Sequence, residues 1–242
     1  MKTFYPSLPA APAVLAAALL ALTVVLTGCP GSNGDDPEPA AMDEPGEPHE
    51  LMQALYGAIV DRDRNRFIAA FHGSDEQREV FKQLYEVIVR VDRLREAMVR
   101  RHGHSDAMVY QDGESSTQDL PGMNLHDQRW RQPGAVRDDD GELHSVQSPL
   151  WEQPLRLIER EGRWYVDAGA TIDNSSMGAH ADAATILKRR DQSLAEALDD
   201  AHRAYIRRGT GREAVLSDLS AAMQRIEIQT FRDYRALRDD RR

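Results

Sequence analysis

Leu155-Arg156-Leu157-Ile158-Glu159-Arg160-Glu161-Gly162-Arg163-Trp164-Tyr165-Val166-Asp167 reads as a β-hairpin. Leu155–Ile158 and Arg163–Asp167 flank Glu161-Gly162, an acidic-glycine pair suited to reversing an antiparallel ribbon. Leu155, Leu157, Trp164 and Val166 alternate with other residues, so one face of the pair is expected to be buried. Upstream, Ala135-Val136 and Leu143–Val146 flank Asp139-Asp140-Gly141, a second hairpin signal. Ala107-Met108-Val109-Tyr110 reads as a short strand, and the polar stretch 111–124 as a loop. The expected product is a small twisted sheet of about four to six antiparallel strands.

Helical periodicity lies on both sides of this meander. Leu51, Leu55, Ile59 and Val60 form an apolar stripe. Charged residues 61–66 interrupt it, and Asp63 is placed to N-cap a short helix bearing Phe67, Ile68 and Phe71. Asp61 and Asp63 imitate the start of a calcium loop, but Arg66 stands where that loop needs glycine, so a helix-turn-helix connection is expected. Ser74 or Asp75 caps the next helix. Its seam is Val80, Leu84, Val87, Val91, Leu94 and Met98, broadened by Phe81 and Ile88, and it ends at Arg100-Arg101-His102-Gly103. After Ser175 a long helix carries Ala184, Leu187, Leu194, Leu198, Ala201 and Tyr205, with Asp191 at a position that suits a core residue. Gly209-Thr210-Gly211 turns the chain into a last helix bearing Val215, Leu216, Leu219, Met223, Ile226 and Tyr234. The fold class is therefore α+β: N-terminal helices packed on a small twisted antiparallel sheet, followed by a C-terminal helical hairpin.

The N-terminal fifty residues have a different character. Met1-Lys2-Thr3 is followed by an apolar run, Ala13 to Leu26, of signal-peptide length and too short to span a bilayer comfortably. The run closes on Leu26-Thr27-Gly28-Cys29, which contains the only cysteine of 242 residues. An aliphatic residue, two small ones and cysteine resemble the lipobox of bacterial lipoproteins. The resemblance implies signal recognition at Leu26, Thr27 and Gly28, cleavage before Cys29, and diacylglyceryl (palmitate-type) lipidation of its sulfur. Pro30 rather than aspartate follows the cysteine, which in that family points to the outer membrane, facing the periplasm. Residues 30–50 contain five prolines, seven acidic residues and no lysine or arginine. Such a segment buries too little apolar surface to order itself and reads as a tether. Four segments follow: signal peptide 1–28, acidic linker 29–50, an α+β body 51–170, and the C-terminal hairpin 171–242.

Composition narrows the function. A net charge of −10 disfavours nucleic acid. One cysteine leaves no internal disulfide, and roughly 190 body residues suffice for a core without one. Only Lys2, Lys82 and Lys188 are lysines among thirty basic residues, so arginine–carboxylate pairing should dominate the surface.

The meander and its preceding helices resemble the nuclear transport factor-like α+β cone superfamily over roughly residues 51–170. That likeness implies a curved sheet closed by helices around a pocket, while the terminal helices depart from the family pattern. A pocket there would be lined by Tyr85, Tyr110, Trp130 and Trp164, with Trp151 nearby and His126, His144, Glu152 or Asp167 as polar groups. His102, His104 and Asp106 alternate as metal ligands can, but a solvated helix end explains them, and neither a metal nor a cofactor is expected. No P-loop, dinucleotide fingerprint, H-E-x-x-H or G-x-S-x-G motif is present. The preferred reading is a non-enzymatic, lipid-anchored envelope protein that contacts membrane lipid through Cys29 and another envelope protein or a small apolar ligand through its body. The alternative is a small cone-fold enzyme using an acid–base pair in the sheet-lined pocket.

Overall fold

The computed structural model describes residues 47–112, 115–123, 135–137, 143–148, 150–151, 153–175 and 182–239. Leu26, Thr27, Gly28, Cys29, the linker up to residue 46, His126, Trp130, the turn 138–141 and Glu152 lie outside the described residues.

Helix α1 (Pro48–Val60) opens on proline, whose fixed φ suits a first turn that needs no N–H. The Glu50 carboxylate accepts from the Glu47 backbone N–H at 3.2 Å. Asp61 and Arg62 turn the chain, and Asp63 then caps α2 (Arg64–Ala69) by accepting from the Arg66 N–H at 3.0 Å. This is the helix-turn-helix connection expected from the charged break. Strand β1 (Phe71–His72) leads into α3 (Asp75–His102), where Ser74 and Gln77 form a reciprocal capping box. All six seam residues of α3 are at most 1% exposed.

Beyond α3 the structure departs from expectation at Ala107-Met108-Val109-Tyr110. Ser105–Met108 forms a 3-10 turn instead of a strand, and a two-stranded ribbon of β2 (Gln111–Asp112) and β3 (Ser115–Ser116) follows. The cause is local. The Thr117 hydroxyl donates to the Met108 carbonyl at 2.6 Å, and the Arg212 guanidinium donates to the carbonyls of Ala107 and Val109. Side chains thus take the acceptors that a sheet ladder would use, while Ala107 and Met108 sink into a helical core at 0% exposure. Gly122, with φ +84°, lets the next turn press against α3. A Cβ there would lie 2.9 Å from Ile88 Cγ2.

The main sheet adds β4 (Ala135–Arg137), β5 (Leu143–Val146), β6 (Leu155–Arg160) and β7 (Arg163–Asp167) in the order β1-β7-β6-β5-β4. Both expected hairpins are present. At the β6–β7 turn Glu161 and Gly162 have φ of 55° and 78°, the paired positive values that match sheet twist. In the register Leu157 faces Val166 and Glu159 faces Trp164. Leu155, Leu157 and Val166 are buried, and Trp164 is partly so. The meander is antiparallel throughout, and β1 adds a parallel edge to β7. Phe71, expected on the short helix, is the residue recruited to that edge, opposite Val166.

The short helix α4 (Ala168–Asp173) follows, then α5 (Ala183–Arg207) and α6 (Arg212–Asp239). Two cores result. One lies between the sheet and α1–α3 and extends to Ala183, Ile186 and Leu187; the other joins the far half of α3 to α5 and α6. Helix α3, about 42 Å long at 1.5 Å per residue, runs through both. Arg90 ties α3 to α5 through Asp199 at 2.9 Å.

Candidate interaction surface

The residues expected around a pocket are placed in two different regions. Tyr85 is 4% exposed, with its ring 5.1 Å from that of Phe67. Phe71 stacks on Phe81 at 4.2 Å, and Phe81 meets Trp151 at 5.3 Å, so aromatic rings fill the space between α2, α3 and the sheet. Burial, then the carboxylates of Glu86 and Asp63, raise the Tyr85 phenol above its ordinary pKa, so it stays protonated at neutral pH. Trp164 packs on the same core, whereas Tyr110 packs on the helical one. Asp167, a polar candidate, caps α4 by accepting from the Ala170 N–H at 2.9 Å. Tyr85 and Tyr110 thus pack on different cores, and Trp130 lies outside the described residues.

The His102 and His104 rings lie 6.2 Å apart, both residues exposed, and the His102 ring is 6.3 Å from Tyr205. Among the described residues no group of three His, Cys, Asp or Glu side chains is placed to hold a metal ion.

Open surface of a different kind lies along the α5–α6 hairpin. Arg189 of α5 meets Asp233 of α6 at 3.3 Å, and the Gln229 amide donates to the same carboxylate at 2.7 Å. Beside this tie a cleft of about 430 Å³ is lined by Ile186, Arg189, Arg190, Arg225, Ile226 and Asp233, among others. A neighbouring cleft of about 570 Å³ shares Ala222 and Arg225 and has a floor of Ala197, Ala201, Ala204 and Leu219. Asp191, at a core-like position on α5, is 0% exposed, with Arg190 Nε 2.9 Å from its carboxylate.

These clefts hold guanidinium and carboxylate groups over an aliphatic floor and contain neither histidine nor cysteine. Guanidinium stays charged across the physiological range, so it binds anions but does not relay protons.

The chain matches no protein-family model, no curated protein and no solved structure. Its function therefore rests on its own residues. Sequence reading missed Arg189, Arg190, Arg225 and Asp233. Arg189 and Asp233 are 44 residues apart, and only the hairpin register brings them together. Among the described residues no helix is long and apolar enough to cross a membrane.

Proposed function

We propose that this chain is a lipid-anchored cell-envelope protein whose body is a non-enzymatic interaction module. The single observation carrying the anchor is Leu26-Thr27-Gly28-Cys29, which places the only cysteine at the end of a signal-length apolar run. Two or more acyl chains at about 0.8 kcal/mol per buried methylene make attachment effectively stable. The acidic, proline-rich residues that follow then act as a spacer of about 25 Å if they behave as a random coil. Pro30 favours the outer membrane, with the body facing the periplasm.

The interaction reading is supported by the contrast between the two halves of the body. Among the described residues aromatic rings pack between α3, β1 and Trp151, and the α5–α6 hairpin carries arginine-lined clefts. The test is the intact mass of the mature chain extracted from membranes. A chain beginning at Cys29 with added acyl mass is expected, and Cys29→Ala should fold normally but leave the membrane fraction. A mature chain without acyl mass, or a Cys29→Ala protein that stays anchored after signal cleavage, would defeat the reading.

A further inference from the structure

Helix α6 carries more apolar surface than folding uses. Val215, Leu216 and Leu219 are at most 2% exposed, whereas Ile228 and Phe231 are each 52% exposed. Those two residues are three apart and therefore neighbours on one helical face. Arg225 lies three residues before Ile228, Arg232 four after it, and Arg235 four after Phe231, so the three guanidiniums frame the apolar pair. All three arginines are exposed, and none makes a hydrogen bond or ion pair among the described residues. Several arginines elsewhere are answered by carboxylates, as Arg62 is by Glu96 and Arg66 by Asp61. The one carboxylate on this face within the span 225–235 is Glu227; Asp233 turns toward α5 and Arg189. On a chain of net charge −10 this is a local reversal of sign around an exposed aromatic residue.

Arginine and aromatic side chains are enriched at the centres of protein interfaces, where lysine is depleted. We propose that this α6 face docks an acidic amphipathic helix of a partner protein, with apolar side chains over Ile228 and Phe231 and carboxylates on Arg225, Arg232 and Arg235. The proposal rests on the interaction-module reading and names the partner's chemistry. Charge decides the occupant. A second copy would set the same three arginines against each other, with Glu227 and Asp239 too few on each side to answer them. An anionic bilayer would meet an apolar strip of just two side chains on a strongly acidic protein, too little for stable interfacial binding. A helix carrying carboxylates at i, i+3 and i+4 can offer bidentate partners to the three guanidiniums while its apolar ridge crosses Phe231.

The test uses the full-length lipidated chain in neutral detergent and fluorescence anisotropy of labelled amphipathic peptides. The probes are a helical leucine–glutamate peptide and the same peptide with lysine for glutamate. The glutamate peptide should bind, and its Kd should rise roughly tenfold or more in Arg235→Glu and in Phe231→Ala. Arg100→Glu, at the exposed end of α3, should bind as the wild type does, and unchanged melting curves would show that every variant is folded. Equal binding of both peptides, no binding, or binding indifferent to Arg235→Glu and Phe231→Ala would overturn the proposal. So would phosphatidylglycerol vesicles that bind in place of the peptide, or a dimer in sedimentation that Phe231→Ala dissolves. Crosslinking in native membranes separates the two levels. Envelope proteins captured equally by wild type and Phe231→Ala would leave the interaction module standing and this face wrong, while no capture at all would remove the module itself.

Discussion

Thr117→Val probes the segment where the chain chose a 3-10 turn over a strand. Thr117 is 0% exposed, and its hydroxyl accepts from the Tyr110 N–H at 2.8 Å while donating to the Met108 carbonyl at 2.6 Å. Valine keeps the shape and removes both bonds. Each buried backbone group left without a partner costs about 1–3 kcal/mol, and half-buried Tyr110 can recover part of its loss from water. The net cost should be about 2–3 kcal/mol. For a body of roughly 190 residues, where 1 kcal/mol shifts the midpoint by about 2–4 °C, Tm should fall by about 5–10 °C. Thr117→Ser retains the hydroxyl and loses one methyl, for about 1 kcal/mol. Thermal melts followed by circular dichroism measure both variants, and hydrogen exchange at the Tyr110 amide reports the local opening. If valine were tolerated within about 0.5 kcal/mol, or serine were the worse substitution, the hydroxyl would not be what holds this turn.

Two further outcomes follow from the charged groups. Burial pushes the Glu79 carboxyl up, but hydrogen bonds from Lys82 at 3.0 Å and Gln83 at 2.9 Å, with the Lys82 charge, outweigh it and hold its pKa below the ordinary value. A depressed carboxyl contributes stability above its unfolded pKa and loses it as pH falls through the folded one, so Glu79→Gln should flatten the acid limb of a Tm–pH curve below about pH 4.5; parallel curves for the two proteins would contradict this. Arg190→Met should destabilise by about 3–5 kcal/mol in urea titration because it strips the Arg190 contact from a buried carboxylate, and adding Asp191→Leu should restore most of the loss. A double variant as unstable as the single one would show that the carboxylate is needed for more than its pairing with Arg190.

Much of the body was legible because its signals are local. The α3 seam at spacings of 4, 3, 4, 3, 4 is a property of one helix, and all six of its side chains are buried. Ser74 and Asp63 act as caps within three residues of their own position. Glu161-Gly162 carries its turn geometry in two adjacent residues. The misreadings are non-local. Ala107-Met108-Val109-Tyr110 has strand composition, yet Arg212, more than a hundred residues away, holds its carbonyls. Phe71 fits a helical stripe but pairs with Val166. The aromatic packing is non-local as well: Phe67, Phe71, Phe81 and Trp151 come from α2, β1, α3 and the segment between β5 and β6.

From the amino-acid sequence alone came the α+β class, the helical seams and both hairpins, because periodicity, capping and short motifs act within a few residues. Tertiary structure alone decided that Asp191 is buried beside Arg190 and that Arg189 meets Asp233. It also decided that α6 turns Leu219 inward and leaves Phe231 outside. Which of two apolar strips on one helix is covered depends on the elements packed beside it, and no periodicity within that helix carries this information.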